Sequence, residues 1–245
     1  MKLIYDTHTH TNYSHGENSI EEMVVAAIEH NLTEIHITEH GKNHHYAKHL
    51  NYKKYKEMYD EIVRLRKVYP NIKIVFGVEA NIISTKGDID VSKEEQELFE
   101  DFNVGFHCLC KLKNISSFFK IHVLFALAYK LKLGFLKKAS NKYCTEAMLQ
   151  ALDKYPIHMI THPTSNYRFD ILKVAKKCAQ TGTILEINDS RKKLSVEDVK
   201  KIKDLPIKIA VGSDAHSTRR VGSCKNAFEI IHQSGLSLDK VINVE

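Results

Sequence analysis

Short runs of alternating apolar and polar residues recur seven times along this chain, each followed by a segment whose apolar positions return every three or four residues. Residues 3–10 open with Leu3, Ile4 and Tyr5 and then place His8 and His10 two apart. In an extended strand, residues i and i+2 share a face, so Ile4, Asp6, His8 and His10 are expected on one side and Leu3, Tyr5 and Thr7 on the other. The same alternation predicts strands at 34–40, 72–79, 102–108, 157–162, 183–188 and 207–212. Helices are expected at 20–30, opened by a Ser19–Glu22 capping box, and at 52–68, ended by Pro70. Others are expected at 92–101, 145–155, 170–180 with Gly182 as its stop, 195–203 and 221–233. Strands that alternate with helices predict a parallel sheet with helical crossovers. No repeat or low-complexity linker divides residues 1–245, so a single α/β domain closed into a barrel is expected.

The polar positions of the strands carry the chemistry. In a parallel barrel the C-terminal strand ends form the rim where catalytic groups collect. His8, His40, Glu79, His107 and His162 fall at those ends, opposite the apolar stripe, and Asp214 and His216 follow the last strand with the same parity. His10 and His15 lie just beyond the first strand. A single strand-end histidine is ordinarily a hydrogen-bonded structural group, but nine donors of one parity point to one shared cause. Imidazole and carboxylate without thiolate favour Zn, Mn or Fe over Ca or Mg. At three or four donors per ion, nine suffice for two to three divalent transition-metal ions.

Other polar groups are assigned more modest places. His36 and His158 share the parity but sit lower, as polar residues of the barrel interior. His30, His49 and His232 read as surface, His44 and His45 as part of a solvated loop, and Glu39 as lying on the far side of its strand from His40. Asp6 is either a partner that orients a ligand imidazole or a buried strand-end carboxylate.

Composition adds limits. Fifteen histidines in 245 residues is an unusual number. The net charge of +6 suits an anionic partner but falls short of the dense basic stripe of a nucleic-acid binder. The five cysteines form no CxxC pair, and no apolar leader follows Met1, so reduced thiols and a cytoplasmic location are expected.

The motifs Asp6-Thr7-His8-Thr9-His10, His15, Thr38-Glu39-His40, Gly77-Val78-Glu79-Ala80-Asn81, Gly105-Phe106-His107, Thr161-His162-Pro163 and Gly212-Ser213-Asp214-Ala215-His216 resemble those of the PHP (polymerase and histidinol phosphatase) family. Leu185-Glu186-Ile187-Asn188 and Glu79-Ala80-Asn81-Ile82 resemble its stand-alone, YcdX-like phosphatase branch. The resemblance implies a distorted (β/α)7 TIM-like barrel with a trinuclear site. It implies one metal held by His8, His10, Glu79 and Asp214, a second by Glu79, His107 and His162, and a third by His15, His40 and His216. The implied reaction is hydrolysis of a small phosphomonoester by a metal-activated hydroxide, with Glu79, Asp214 and His216 as the catalytic candidates. Arg168, Arg191, Arg219 and Arg220 follow strands five to seven and are candidate phosphate donors. Competing readings are a nuclease or phosphodiesterase, disfavoured by the lack of a basic aromatic stripe, and a non-catalytic metal-stabilised module, disfavoured by the complete donor set. A carbon–nitrogen hydrolase would place a lysine at a mid-chain strand end, and none is found.

One segment breaks the rhythm. From Phe102 to Thr145 there is no acidic residue but eight lysines: Lys111, Lys113, Lys120, Lys130, Lys132, Lys137, Lys138 and Lys142. Its apolar run is too short to span a bilayer. Helical spacing brings Phe118, Ile121, Phe125 and Tyr129 together, which predicts an amphipathic insertion at about 111–141. A lid whose lysines attract substrate is the expected role. An interfacial membrane helix and an oligomer contact are the rivals.

Overall fold

The computed structural model describes residues 1–108, 110–165, 167–190 and 194–245. Its strands are β1 (Tyr5–Thr9), β2 (Glu34–His40), β3 (Lys73–Asn81), β4 (Asp101–Gly105), β5 (Met159–Ile160), β6 (Ile184–Asn188) and β7 (Ile209–Gly212). They pair in chain order, each neighbour parallel. The helices between them are α1 (Ile20–Glu29), α2 (Tyr52–Val68) and α3 (Lys93–Gln96). In the second half come α4 (Ile115–Ser117), α5 (Leu124–Leu131), α6 (Gly134–Lys154), α7 (Ile171–Thr181), α8 (Val196–Ile202) and α9 (Lys225–Ser234). The expected distorted (β/α)7 barrel is the fold observed.

Closure between β1 and β7 is irregular. At the rim, Thr9 bridges Ala215 in parallel, and His10 N–H donates to Ala215 O at 2.8 Å. Lower down the chain terminus fills the seam: Ile4 N–H donates to Asn243 O, and the buried Asn243 amide donates to Tyr5 O and Val211 O. One side chain thus satisfies backbone groups of both strands that would otherwise be orphaned in the core.

β1 also carries a bulge. Asp6 and Thr9 pair with Ile35 and Ile37, so three steps on β1 face two on β2. The extra residue interrupts the alternation and separates Asp6 from the face of His8. β5 is shorter than the sequence suggests, because the chain turns sharply at His162, whose φ is 30°.

The insertion is helical, as expected, but its helix α6 runs without a break into the crossover predicted at 145–155. A π-helical turn over Phe118–Val123 leads into α5. Of the expected apolar face, Ile121 is buried and Phe125 packs on Tyr167 with ring centroids 4.6 Å apart, whereas Phe118 and Tyr129 are exposed. His122 fastens the segment through Nε2 to Cys110 O at 2.9 Å and through Nδ1 to the Tyr167 hydroxyl. Among the described residues, no helix is long and apolar enough to cross a membrane.

Candidate metal centre

At the C-terminal rim the side chains converge on Glu79, the penultimate inward position of β3. Its Oε1 lies 2.6 Å from His162 Nε2, 3.2 Å from His107 Nε2 and 3.6 Å from His8 Nε2. Its Oε2 lies 2.8 Å from His40 Nδ1 and 3.6 Å from His10 Nε2. Asp214 Oδ1 is 3.6 Å from His10 Nε2 and 3.8 Å from His8 Nε2. His15 and His216 complete the set, their rings 4.2 Å apart by centroid. Donor atoms of His8, His10 and Asp214, of His40, Glu79 and His107, and of His10, His40 and His216 each lie within 4.8 Å of one another. All nine expected donors therefore meet in one place.

Their hydrogen bonding fits cations. Both Glu79 oxygens, His40 Nε2 and His216 Nε2 are buried atoms with no hydrogen-bond partner. Leaving such a group unsatisfied costs about 1–3 kcal/mol, and more for a charged one. A cluster that keeps several of them unsatisfied is shaped for a ligand of positive charge.

The burial of opposite charge types sets the protonation. Glu79 is buried, which opposes its charge, yet His107, His8, His162 and His40 around it hold its carboxyl well below the usual range. Burial, then neighbouring imidazoles, push His10 well below the usual imidazole value; burial does the same to His40. Burial also opposes charge on His8, but Glu186, Glu79 and Asp214 outweigh it and raise that imidazole well above its usual value.

Several groups aim these donors. Glu186 Oε1 lies 2.8 Å from His8 Nδ1, so the Nδ1 proton is directed at Glu186 and Nε2 is the ring atom that faces Glu79 and Asp214. The other Glu186 oxygen accepts from His162 N–H and, at 3.1 Å, from Asn188 Nδ2. Gly212 makes room for this contact: a Cβ there would lie 2.0 Å from Glu186 Oε1 and 3.0 Å from the Cβ of His8. His216 Nδ1 donates to Asp214 O at 2.9 Å, which leaves Nε2 as the donor atom. His162 and Asp214 both have positive φ, 30° and 51°, an uncommon conformation for residues other than glycine that concentrates at functional sites.

A family model described as PHP domain matches residues 6–190. The chain belongs to the PHP family. Among PHP relatives, a probable phosphatase of Thermoanaerobacter sp. (strain X514) is 29% identical over an alignment covering all of this chain and 92% of the relative. The probable phosphatase YcdX of Escherichia fergusonii is 27% identical, covering 98% of this chain and 89% of its own. Among solved structures, the histidinol phosphate phosphatase of Lactococcus lactis, complexed with zinc, L-histidinol and phosphate, superposes with a TM-score of 0.68 at 20% identity. That match covers 97% of this chain and 95% of the other, and shows the shared PHP fold.

Some sequence expectations change. Of the two readings of Asp6, the buried strand-end carboxylate is the one observed: it meets no ligand ring and accepts from the N–H groups of Ser213 at 3.1 Å and Gly222 at 2.9 Å, because the bulge turns it toward the loop after β7. The imidazole-orienting role falls to Glu186, whose motif the sequence displayed without its pairing. Glu39 is not outside the site. It is fully buried, accepts from Thr11 N–H and Oγ1 and from the Ser14 hydroxyl, and sits 3.8 Å from His10 Nδ1; burial pushes its carboxyl up to about 7. Glu39 thus pins the loop that carries His15. His44 is buried rather than solvated, stacked on His40 at 3.9 Å, with a donor atom within 4.8 Å of those of His15 and His40. It is held there by a backbone bridge to Cys110 and by Asp90, which accepts from Asn43 N–H at 2.8 Å. His158 is half exposed at the opposite end of the barrel instead of interior.

The described candidate arginines are at least partly exposed and pair with carboxylates outside the donor set. Arg168 is 3.6 Å from Asp198, Arg219 3.4 Å from Glu17, and Arg220 3.1 Å from the buried Asp189. Arg191 lies outside the described residues.

Proposed function

We propose that this chain is a metal-dependent hydrolase of phosphoric esters acting on small phosphomonoesters. The observation that carries the reading is Glu79: one buried carboxylate surrounded by imidazoles from four other strand ends, with neither oxygen hydrogen-bonded. His8, His10, Glu79 and Asp214 would hold one divalent ion; Glu79, His107 and His162 a second; His15, His40 and His216 a third, with His44 in reach of it. Zn, Mn and Fe suit these donors. Such ions, when bound, supply a nucleophile from water at neutral pH and positive charge for the phosphoryl oxygens.

The chain's own residues do the rest. Glu186 keeps the His8 proton on Nδ1, and Asp214 O keeps that of His216 on Nδ1, so both Nε2 atoms stay available. Glu79, Asp214 and His216 line the reacting centre, and burial of all but His216 limits competing water. Arg168 and Arg219 are the described candidates for gripping phosphate once released from Asp198 and Glu17. A panel of phosphomonoesters beside single-stranded DNA, run on metal-loaded protein, tests the reading. Turnover of phosphomonoesters with little release from DNA is expected; the reverse preference would favour a nuclease, and turnover of neither would leave a structural module.

A further inference from the structure

The helical insertion carries a surface that the site does not use. Between residues 102 and 144 lie eight of the chain's 36 basic side chains and none of its 30 acidic ones, leaving 28 basic against 30 acidic elsewhere. The whole positive excess of the molecule is carried by this one stretch of sequence, most of it in the hairpin of the helical insertion.

That hairpin is apolar on two sides. Ile121, Phe125 and Ala128, spaced four and three apart, form the stripe turned toward the protein. Phe119, Leu127 and Leu131 on the same helical run point away from that stripe to varying degrees and are exposed, as are Tyr129, Leu133 and Phe135. Tyr129 and Phe135 are 73% and 69% exposed. The turn between α5 and α6 is made at Lys132, φ 55°, so the apolar tip projects with Lys130, Lys132, Lys137 and Lys138 around it. An amphipathic helix needs one apolar face to fold against its own protein. A second, exposed face ringed by cations serves something outside it.

We propose that this hairpin docks on an anionic phospholipid surface, with its aromatic and leucine side chains in the headgroup region and its lysines on lipid phosphates. Three partners compete for such a face, and the charge pattern separates them. A second copy across a twofold axis would bring the lysine cluster against itself. A nucleic acid would leave the exposed leucines and phenylalanines facing phosphates, and the segment contains no arginine, the residue best fitted to bidentate phosphate and base contacts. A bilayer with anionic headgroups accepts both halves of the pattern at once, since lysine stems lie along apolar surface while their ammonium groups reach the phosphates.

The test is flotation of the full metal-loaded chain with vesicles of phosphatidylcholine, with and without about 30% phosphatidylglycerol. Binding should require the anionic lipid and weaken by at least about tenfold between about 0.05 M and 0.5 M salt. Two variants, Lys132→Glu/Lys137→Glu/Lys138→Glu and Leu131→Ser/Leu133→Ser/Phe135→Ser, should each lose at least about tenfold in vesicle affinity. Their circular dichroism and metal content should not change, since every substituted side chain is exposed. Equal binding to neutral vesicles, or no binding to either kind, would overturn the proposal. So would a wild-type dimer that becomes monomeric in the variants without any vesicle binding, or a change in KM for soluble phosphomonoesters without it, the signature of a lid.

Discussion

The two ends of this barrel are built from the same residue types and reach opposite outcomes. At the N-terminal end, Asp101 Oδ2 accepts from His36 Nδ1 at 2.6 Å and from Asn103 Nδ2 at 2.9 Å, while Oδ1 meets His158 Nδ1. His36 Nε2 lies 2.7 Å from Glu34, which also takes Lys73 at 3.1 Å. Both ring nitrogens of His36 have a carboxylate, and two imidazoles share two acids. At the other end, seven imidazoles of the predicted set gather around Glu79 and Asp214, with Glu186 behind His8 and Glu39 beside His10, and buried atoms of both kinds are still left unsatisfied. Histidine and carboxylate together therefore do not make a metal centre. An excess of lone pairs over protons to fill them does, because the remaining demand is for a cation.

Electrostatics records the same contrast. Burial opposes charge on His36, but Asp101 and Glu34 outweigh it and raise it to about 9. Burial likewise opposes charge on Asp101, and His36 and His158 outweigh it, so its carboxyl falls below the usual range. The base is a closed ion pair. At the rim, His10 and His40 are pushed down and kept neutral, the form in which imidazole ligates.

The largest effect that would sharpen this contrast comes from removing one carboxylate at each end. Glu79→Gln is expected to lose bound metal and to lower kcat by on the order of 10²–10³-fold or more. Asp101→Asn should keep the metal content of the wild type and lose only stability. Equal metal contents in the two variants would erase the distinction.

A smaller effect is expected one step behind the donors. Glu186→Gln keeps the shape but weakens the hold on His8 Nδ1, and Gly212→Ala displaces Glu186, because the added Cβ would lie 2.0 Å from its Oε1. Metal affinity measured by competition with a chromogenic chelator should drop by about 10–100-fold in each. Wild-type affinity in both would show that His8 needs no orienting partner.

The smallest effect belongs to the base and is read in pH. The folded His36 value of about 9 exceeds the ordinary 6.5, so its contribution is complete below 6.5 and is lost as pH rises through 9. Asp101 is shifted the other way, so its contribution is present above the ordinary 3.8 and fades as pH falls. The stability gap between wild type and His36→Gln, about 1–3 kcal/mol, should be widest between these limits and narrow toward pH 9. A gap that stays constant from pH 6 to 9.5 by thermal melts would contradict the ion pair.

How far the sequence revealed this molecule follows from what each feature depends on. Strand order, the 52–68 helix and the nine rim donors were legible because alternation and strand-end position are local properties of the chain. The bulge in β1 depends on register with a neighbouring strand, so the sequence left both readings of Asp6 open and could not choose between them. His44 reads as loop because its burial is set by Asp90 and by a bridge to Cys110, both distant in sequence. Glu39 escaped for a related reason, since its partners Thr11 and Ser14 reach it only after the loop beyond β1 folds back. In the insertion, spacing identified a helix but not which of its two apolar faces turns inward.

The central claim is that the rim is a multinuclear centre and the base is not. Elemental analysis of purified protein, reconstituted with zinc, manganese or iron and freed of loose ions, tests it most directly. Two to three ions per chain are expected, with the same number in Asp101→Asn and fewer in Glu79→Gln. One ion or fewer in the wild type after reconstitution would contradict it.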